Sequence, residues 1–391
     1  MSAEPLAGAE AGRPAHERVV EIEIDATDGL ARAGRVHTAR GSFETPVFMP
    51  VGTRASVRTL SSADMEDLGA EIMLGNTYHL MLRPGAELIA EMGDLHGFMA
   101  WPAHVLTDSG GYQIFSLEPK VSDEGAIFRS TYDGSTHHLT PESSADIQRL
   151  LGADIQMVLD VCPALPATEA VVRAAVDRTA LWARRGRAAF LAGRDAGATD
   201  AQRAQAQFGI VQGGVDLDLR RESAERTVEI GFDGYGIGGL SVGEPRDQML
   251  PALDVVTAIL PVDQPRYLMG VGDPIGFVEG IARGVDMFDC VLPTRYARHG
   301  TILTDAGRLS LRNAEHERSP GPLDPHCTCP VCARWSRSYL RHLLRVQEPT
   351  AARLLTLHNV HWCLELMRKA RVAIAAGTFD ELRARMWAIW T

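Results

Sequence analysis

Eight short apolar runs recur along this chain, and each ends in glycine or a polar residue before a stretch with helical periodicity. The runs lie at residues 46–51, 71–75, 104–108, 154–160, 208–212, 235–239, 266–270 and 285–289. Strands that are covered on both faces are apolar along their length, and strands that alternate with helices form parallel sheets. Eight such units close into a barrel whose active site lies at the carboxyl ends of the strands. The pattern therefore predicts an α/β fold, a (β/α)₈ TIM barrel over residues 46–308.

The segments outside this alternation predict additions to the barrel. Residues 1–18 are small and polar and lack an apolar core, which is typical of a disordered tail and not of a signal peptide. Residues 19–25 and 35–43 alternate in polarity, so an N-terminal antiparallel hairpin is predicted within a cap over residues 19–45. Residues 193–207 predict a surface loop. Residues 309–361 fit no βα unit and predict a subdomain inserted after the eighth strand, with closing helices over residues 362–391 that complete the barrel.

The charge distribution separates one basic segment from an acidic body. The whole chain carries a net charge of −11, but residues 291–346 contain nine arginines against four acidic residues. Local contact with phosphates requires such a segment, although a solvated helix face gives the same composition. No apolar run reaches 18 residues, and six cysteines are too few for a disulfide framework. We therefore predict a cytoplasmic protein without a membrane span.

A cluster of cysteines in the string HCTCPVC predicts a metal site in the inserted subdomain. Three thiolates and one imidazole complete a tetrahedral zinc site and leave no open position for catalysis. The predicted ligands are Cys327, Cys329, Cys332 and His358. Alternative fourth ligands are His326, His342 and His361, and the cysteines could also be plain free thiols. One structural Zn²⁺ per chain would join the loop of the insert to a helix that starts near Pro349.

Three aspartates follow or end predicted strands: Asp108 in LTDSGGYQIFSL, Asp160 in VLDVCP and Asp289 in GVDMFDCVLPTR. A single aspartate in such a place is as often a helix cap or a turn acceptor. Three together at the rim of a barrel predict a catalytic pocket. Glycine pairs at 110–111 and 238–239 would let a planar ligand approach the backbone, and Gln212 adds a donor and an acceptor.

These residues lie in strings that resemble one family. TDSGGYQIFSL, VQGG, GIGGLSVGEP, LMGVGDP, DMFDCVLPTRYARHG and the C-x-C-x₂-C…His set are similar, in order and spacing from about residue 48 to the end, to bacterial tRNA-guanine transglycosylases (queuine tRNA-ribosyltransferases). The resemblance implies a barrel with a zinc subdomain, in agreement with the strand count. It also implies a pentosyltransferase that replaces guanine at the anticodon wobble position, tRNA-guanine(34), with 7-aminomethyl-7-deazaguanine in queuosine biosynthesis.

The roles of single residues are carried over from matching positions. Asp289 matches the nucleophile that forms a covalent aspartyl–ribosyl intermediate, and Asp108 matches the general acid and base. The matching substrate-binding residues are Asp108, Ser109, Gly110, Gly111, Tyr112, Asp160, Gln212, Gly239, Leu240 and Met269. The matching RNA-binding residues are Gly270, Val271, Gly272, Asp273, Pro274, Ile275, Gly276, Thr294, Arg295, Tyr296, Ala297 and Arg298. Those that match the bacterial pocket for the 7-aminomethyl group are Cys162, Val242 and Glu244.

Elementary chemistry agrees with these roles. A carboxylate that faces the anomeric carbon can trap an oxocarbenium-like state as a ribosyl ester. The leaving base needs a proton and the incoming base must lose one, which a second carboxyl can do. An ionised Asp160 would accept both the imino N–H and the exocyclic amine of guanine. Tyr112 and Met269 would cover the two faces of the base.

The resemblance further implies partners and shows two departures. The implied partners are guanine, 7-aminomethyl-7-deazaguanine, the anticodon loops of tRNAs for aspartate, asparagine, histidine and tyrosine, and a second copy of the chain in a homodimer. Tyr296 stands where the family usually has asparagine, which bears on contacts to the bases that flank the target. Val161 stands where glutamate is expected, which bears on the polarity of the pocket.

Three other functions fit parts of the sequence. A barrel glycosidase also uses two strand-end carboxylates, but it needs neither Asp160 and Gln212 in a glycine-lined pocket nor an arginine-rich zinc insert. A zinc hydrolase is disfavoured because no H-x-H pair ends a strand and the predicted metal site is closed. A catalytically silent RNA-binding subunit is disfavoured by the intact Asp108 and Asp289.

Overall fold

The structure, a computed structural model, describes residues 19–195 and 199–391. The tail predicted over residues 1–18 lies outside the described residues.

The strands are β1 (Glu21–Asp28), β2 (Ala31–Thr38), β3 (Gly41–Thr45), β4 (Val47–Gly52), β5 (Ile72–Gly75), β6 (His104–Thr107), β7 (Lys120–Val121), β8 (Ala126–Arg129), β9 (Thr136–Leu139), β10 (Ile155–Met157), β11 (Ala206–Val211), β12 (Gly234–Ile237), β13 (Arg266–Leu268), β14 (Met287–Cys290), β15 (Thr301–Thr304) and β16 (Gly307–Ser310). The helices are α1 (Ser62–Asp67), α2 (Thr77–Leu82), α3 (Ala86–Glu91), α4 (Asp94–Met99), α5 (Gly111–Phe115), α6 (Pro141–Leu151), α7 (Glu169–Asp195), α8 (Asp200–Arg203), α9 (Leu217–Ile230), α10 (Arg246–Ile259), α11 (Pro274–Ile281), α12 (Leu292–His299), α13 (Arg337–Arg345), α14 (Pro349–Ala376) and α15 (Phe379–Trp390).

Within these ranges, eight parallel strands close into a barrel in the order β4-β5-β6-β10-β11-β12-β13-β14, with β14 paired to β4. Every predicted apolar run overlaps one of these strands, so the predicted (β/α)₈ barrel is confirmed. The strands are mainly apolar because side chains on both of their faces are buried, as the fully buried Phe48, Phe208 and Met287 illustrate.

Side-chain caps define the first turns of two helices, α1 and α6. Ser61 forms a capping box with Asp64 at the start of α1. Thr140 accepts from the backbone N–H of Ser143, and Pro141 occupies the first turn of α6, where its missing N–H costs nothing. Each cap satisfies a backbone N–H at the start of its helix, so both helices begin just after a serine or threonine.

The predicted N-terminal antiparallel hairpin is confirmed as β1-β2, and β3 extends it to a three-stranded antiparallel sheet. The predicted second strand, residues 35–43, spans the end of β2, the turn and the start of β3. Alternating polarity continues through that turn, so the pattern did not reveal it. A second antiparallel sheet, β7-β8-β9, lies between β6 and α6 and was not predicted, because its strands are only two to four residues long.

The prediction of a surface loop over residues 193–207 is wrong at both ends of that range. Helix α7 continues to Asp195, α8 occupies Asp200–Arg203, and β11 begins at Ala206. Residues 196–198 of this stretch lie outside the described part of the chain.

The C-terminal region follows β14 as α12, the β15–β16 hairpin, the cysteine loop, and then α13, α14 and α15. Helix α14 packs against β1, β2 and β4 through a face that includes Leu366 and Met367. It runs without interruption across residues 361 and 362, where a boundary between the subdomain and the closing helices was predicted. In the described ranges, no helix is both long enough and apolar enough to cross a bilayer.

Candidate active site and metal centre

A cavity of about 330 Å³ lies at the carboxyl ends of the barrel strands. The predicted site residues that line it are Asp108, Ser109, Tyr112, Asp160, Gln212, Gly239, Leu240, Met269, Gly270 and Asp289. Cys162 and Val242 line it as well. Residues more than 100 positions apart therefore meet because each one follows, or ends, a strand of the same closed barrel.

Asp108, just after β6, is held by groups from the start of α2. Its Oδ1 accepts the backbone N–H of Thr77 at 2.8 Å, and its Oδ2 accepts the side-chain amide of Asn76 at 2.5 Å. Burial raises the pKa of this carboxyl, and these hydrogen bonds oppose the rise. The raised pKa keeps the proton on the carboxyl to a higher pH than in an ordinary aspartate, which suits a general acid.

Asp289, in β14, receives two hydrogen bonds on the same oxygen. The hydroxyl of Tyr267 donates to Oδ1 at 2.6 Å, and the backbone N–H of Gly270 donates to Oδ1 at 2.7 Å. Burial raises the pKa of Asp289, and both donors stabilise its ionised form. The carboxylate is therefore oriented through one oxygen, while Oδ2 receives no hydrogen bond from the described residues.

Asp160, just after β10, pairs with Gln212 at the end of β11. The Gln212 amide nitrogen donates to Asp160 Oδ2 at 2.6 Å, and Asp160 is only 6% exposed. Burial raises the pKa of Asp160 to about 6, the Gln212 bond opposes this, and repulsion from Asp108 adds to it. Gln212 Oε1 is buried without a hydrogen-bond partner. The pocket thus presents the carboxyl oxygens of Asp160 as acceptors and the side-chain amide of Gln212 with an oxygen that has no hydrogen-bond partner.

The glycines of the pocket bring backbone close to a ligand. Gly239 has φ +63°, and a Cβ there would meet Gln212 Oε1 at 2.2 Å. Gly110 has φ +83° and is the N-cap of α5, while a Cβ on Gly111 would meet Asp160 Oδ1 at 3.3 Å. A side chain at Gly239 or Gly111 would therefore push against Gln212 or Asp160, the residues placed to read the base. Tyr112 stands at the rim and is 63% exposed, a position from which it can cover a bound base.

The four predicted metal ligands meet in one cluster. Their ligand atoms lie within 4.8 Å of one another. His358 Nδ1 lies 3.3–3.6 Å from the three cysteine sulfurs. Tetrahedral zinc with ordinary Zn–S and Zn–N bonds gives a separation of about 3.6 Å between these atoms. His361, one of the alternative fourth ligands, contacts the side chain of Thr328 and lies outside the four-residue cluster.

The other ring nitrogen of His358 orients the imidazole. His358 Nε2 lies 2.8 Å from the backbone oxygen of Leu303, which fixes the tautomer with the lone pair of Nδ1 towards the sulfurs. The residues present therefore fit a closed Cys₃His site.

Comparison with known proteins matches residues 26–391 to the model of the queuine tRNA-ribosyltransferase family. The chain belongs to this family. A queuine tRNA-ribosyltransferase of Desulforudis audaxviator (strain MP104C) is 54% identical over 360 residues, which are 92% of this chain and 94% of the relative. One of Cereibacter sphaeroides (strain ATCC 17029 / ATH 2.4.9) is 52% identical over 365 residues, 93% and 95% of the two chains. The chain is thus an enzyme of the glycosyltransferase class.

The first segment matched to RNA contacts in the family is largely packed inside the protein. Of Gly270, Val271, Gly272, Asp273, Pro274, Ile275 and Gly276, only Gly270 and Asp273 are accessible. Asp273 caps α11 by accepting from the N–H of Gly276, and it pairs with Arg246. The segment therefore presents a glycine and a fixed carboxylate at the rim of the pocket, and its other residues support them.

The second segment, in α12, forms a basic edge. Thr294 and Ala297 are buried, whereas Arg295 is exposed and Arg298 is half-buried. Burial lowers the pKa of Arg298, and the nearby charges of Arg58 and Arg295 lower it further. The ring of Tyr296, the departure from the family pattern, lies 5.1 Å from the guanidinium of Arg308.

Sequence reasoning missed Asn76 and Tyr267 as site residues. Asn76 directly follows the second barrel strand, so the same strand-end rule that selected the aspartates could have found it. Tyr267 lies inside β13 and is 1% exposed, and nothing in the sequence distinguishes it from a core tyrosine.

Proposed function

We propose that this enzyme exchanges guanine at the wobble position of tRNA for 7-aminomethyl-7-deazaguanine through a covalent ribosyl ester on Asp289. The observation that carries the proposal is the meeting of Asp108, Asp160 and Asp289 in one glycine-lined cavity of a member of this family. Each carboxyl has a different set of partners, and the three can therefore do different work.

Asp289 attacks the anomeric carbon of the ribose. Its bond to that carbon forms as the bond from the carbon to N9 of guanine breaks, and the electron pair of that bond leaves with the base. The donors Tyr267 and Gly270 hold Oδ1, so Oδ2 is the attacking atom. The ester keeps the tRNA attached to the enzyme while one base leaves and another enters.

Asp108 moves the protons of both half-reactions. It gives a proton to the departing guanine, and the resulting carboxylate takes one from the incoming base as N9 attacks the same carbon and releases Asp289. Asn76 and Thr77 hold the carboxyl in place through both steps. Protons and charges balance over the cycle, so no other reactant is needed.

Asp160 and Gln212 recognise the base. An ionised Asp160 accepts the imino N–H and the exocyclic amine of guanine. One hydrogen of the Gln212 amide binds Asp160, and the other can be donated to the carbonyl oxygen of the base together with the N–H of Gly239. Glu244 accepts the N–H groups of Ser241 and Val242, which turns the Leu240 carbonyl away from it and towards the 7-aminomethyl group.

The subdomain and the basic edge would hold the tRNA. Bound zinc would fix the cysteine loop to α14 and take no part in the reaction. Arg295, Arg298 and Arg58 would contact phosphates, while the unpaired target base leaves its stack at small cost. The tRNAs for aspartate, asparagine, histidine and tyrosine, the homodimer and the cytoplasmic location stay predictions from the family.

The test is incubation with tRNA and radiolabelled guanine, without a nucleotide cofactor. Label should enter tRNA, and addition of 7-aminomethyl-7-deazaguanine should displace it irreversibly. A glycosidase would release sugar from an oligosaccharide instead, and a silent subunit would bind tRNA without incorporating label. Either result would refute the proposal.

A further inference from the structure

Arg220, in α9, is a fully buried cation directly behind the pocket loops. Its side chain is 0% exposed, and it makes no ion pair within 4.0 Å among those of the described residues. Burial lowers its pKa to about 10. A buried charge without a carboxylate in contact is costly, and the more distant Glu244 offsets that cost only in part, because the pKa of Arg220 stays lowered. An apolar residue of similar volume would fill the same space more cheaply. Packing alone therefore does not explain why an arginine stands here.

The guanidinium binds four backbone carbonyls from two pocket loops, those that follow β11 and β12. Nε donates to the carbonyl of Gly214 at 2.6 Å, and Nη1 donates to that of Val211 at 3.1 Å. Nη1 also donates to the carbonyl of Gly238 at 2.7 Å, and Nη2 donates to that of Gly239 at 2.9 Å. The planar fork of one arginine thus holds the ends of β11 and β12 together, an arrangement that a lysine cannot reproduce.

Peptide geometry turns these contacts into an orientation. In a trans peptide the carbonyl and the N–H point in opposite directions, and neither peptide here is cis. Because the carbonyls of Gly238 and Gly239 point back to Arg220, the N–H groups of Gly239 and Leu240 point forward. The Gly239 N–H is in fact directed at Cys162, which lines the cavity. A cation on the carbonyl side also polarises each peptide and strengthens its N–H as a donor.

We propose that Arg220 is a positioning residue for base recognition. It binds the carbonyls of Gly238 and Gly239 from behind. In this way it aims the N–H groups of Gly239 and Leu240 at the carbonyl oxygen of the purine. The inference rests on the proposed function and assigns a cause to the shape of its pocket. Arg220 touches the loops and not the substrate, so its loss should weaken one side of the base site and leave the Asp160 side intact.

The test compares three bases as competitors of radiolabelled guanine. 6-Thioguanine keeps the donor edge of guanine but carries sulfur, a weaker acceptor, in place of the carbonyl oxygen. Hypoxanthine keeps the carbonyl but lacks the exocyclic amine. In Arg220→Met the inhibition constant of guanine should rise about tenfold, the cost of one poorly aimed hydrogen bond. The inhibition constant of 6-thioguanine should rise less than about threefold, because its sulfur already accepts only weakly from the lost donor. The KM for tRNA should stay within about twofold of wild type, because Arg220 does not contact the phosphates.

The ratio of guanine to hypoxanthine affinity should not change, because it reports on Asp160. Arg220→Lys should behave like Arg220→Met, since charge without the fork cannot hold both peptides. Arg266→Met is the matched control. Arg266 begins β13, is buried, and donates to the backbone carbonyls of Leu260 and Pro261, away from the cavity. It should lower the melting temperature and leave all base ratios as in wild type.

Equal weakening of all three bases in both Arg220 variants would overturn the proposal, because general loosening of the pocket has that result. So would an unchanged ratio of guanine to 6-thioguanine. Failure of Arg220→Met, Arg220→Lys and Arg220→Gln to fold would assign Arg220 to stability alone and likewise overturn it. If wild type itself incorporated no guanine, the proposed function would fail first, and the two failures are therefore distinguishable.

Discussion

Replacement of Asp160 by asparagine tests how the pocket selects its base. Asp160 is buried and its Oδ2 already accepts the amide of Gln212 at 2.6 Å. Asparagine keeps the shape of the side chain but has only one acceptor atom. If that oxygen stays with Gln212, the new NH₂ group faces the N–H donors of guanine, and a donor then opposes a donor.

The expected cost follows from the bond that is lost. A hydrogen bond to an ionised group contributes about 1.5–3 kcal/mol, and each 1.4 kcal/mol is a factor of ten. The dissociation constant of guanine should therefore rise about ten- to a hundredfold in Asp160→Asn. The affinity for tRNA should not change, because the basic edge lies outside the pocket.

The same carboxyl predicts a pH dependence with a defined sign. Burial raises the pKa of Asp160 to about 6, so the ionised acceptor is lost as the pH falls through that value. Guanine binding to wild type should weaken about tenfold for each pH unit below 6, whereas Asp160→Asn should show no such dependence. Guanine titrations from pH 4.5 to 8 at fixed ionic strength measure both effects. Wild-type affinity for guanine in the asparagine variant, or the same acid dependence in both proteins, would refute the assignment.

Two further predictions concern the metal centre and the general acid. Cys329→Ser should release the metal and weaken tRNA binding before it affects chemistry. Cys363 is a buried cysteine outside the cluster, so Cys363→Ser should keep about one zinc per chain by metal analysis. Equal metal content in the two variants would contradict the proposed metal site. Asn76→Ala removes the donor that stabilises ionised Asp108, so the pKa of Asp108 should rise and the pH profile of guanine exchange should move upward by on the order of one unit. A profile that overlays that of wild type would show that Asn76 does not hold this carboxyl.

The barrel could be predicted from the sequence because its physics is visible in single residues. Strands buried on both faces, such as β4 and β12, are short apolar runs, and their ends carry the polar residues of the site. The small sheet β7-β8-β9 left no such signal, since its strands are short and half exposed. The third N-terminal strand was missed because alternating polarity does not show where a turn falls.

The site was predictable where chemistry-bearing side chains end strands, and not where the fold alone decides. Asp108, Asp160 and Asp289 were found by position, and the structure brings all three to one cavity. Tyr267 and Arg220 were not, because a buried tyrosine in a strand and an arginine in a polar helix are common in any protein. Their contacts with Asp289 and with the Gly238–Gly239 peptides depend on the three-dimensional arrangement of loops far apart in sequence.

The division of roles between Asp289 and Asp108 is tested most directly by the covalent tRNA–enzyme adduct on a denaturing gel, trapped with a guanine analogue that occupies the vacated pocket. Wild type should give the adduct. Asp289→Asn keeps the size of the side chain but removes the attacking charge, so neither adduct nor exchange should appear. Asp108→Asn keeps the nucleophile and withholds the leaving-group proton, so a residual reaction roughly 10²–10⁴ below wild type should remain. Both variants should bind tRNA as wild type does. An adduct that persists in Asp289→Asn and disappears only in Asp108→Asn would reverse the two roles.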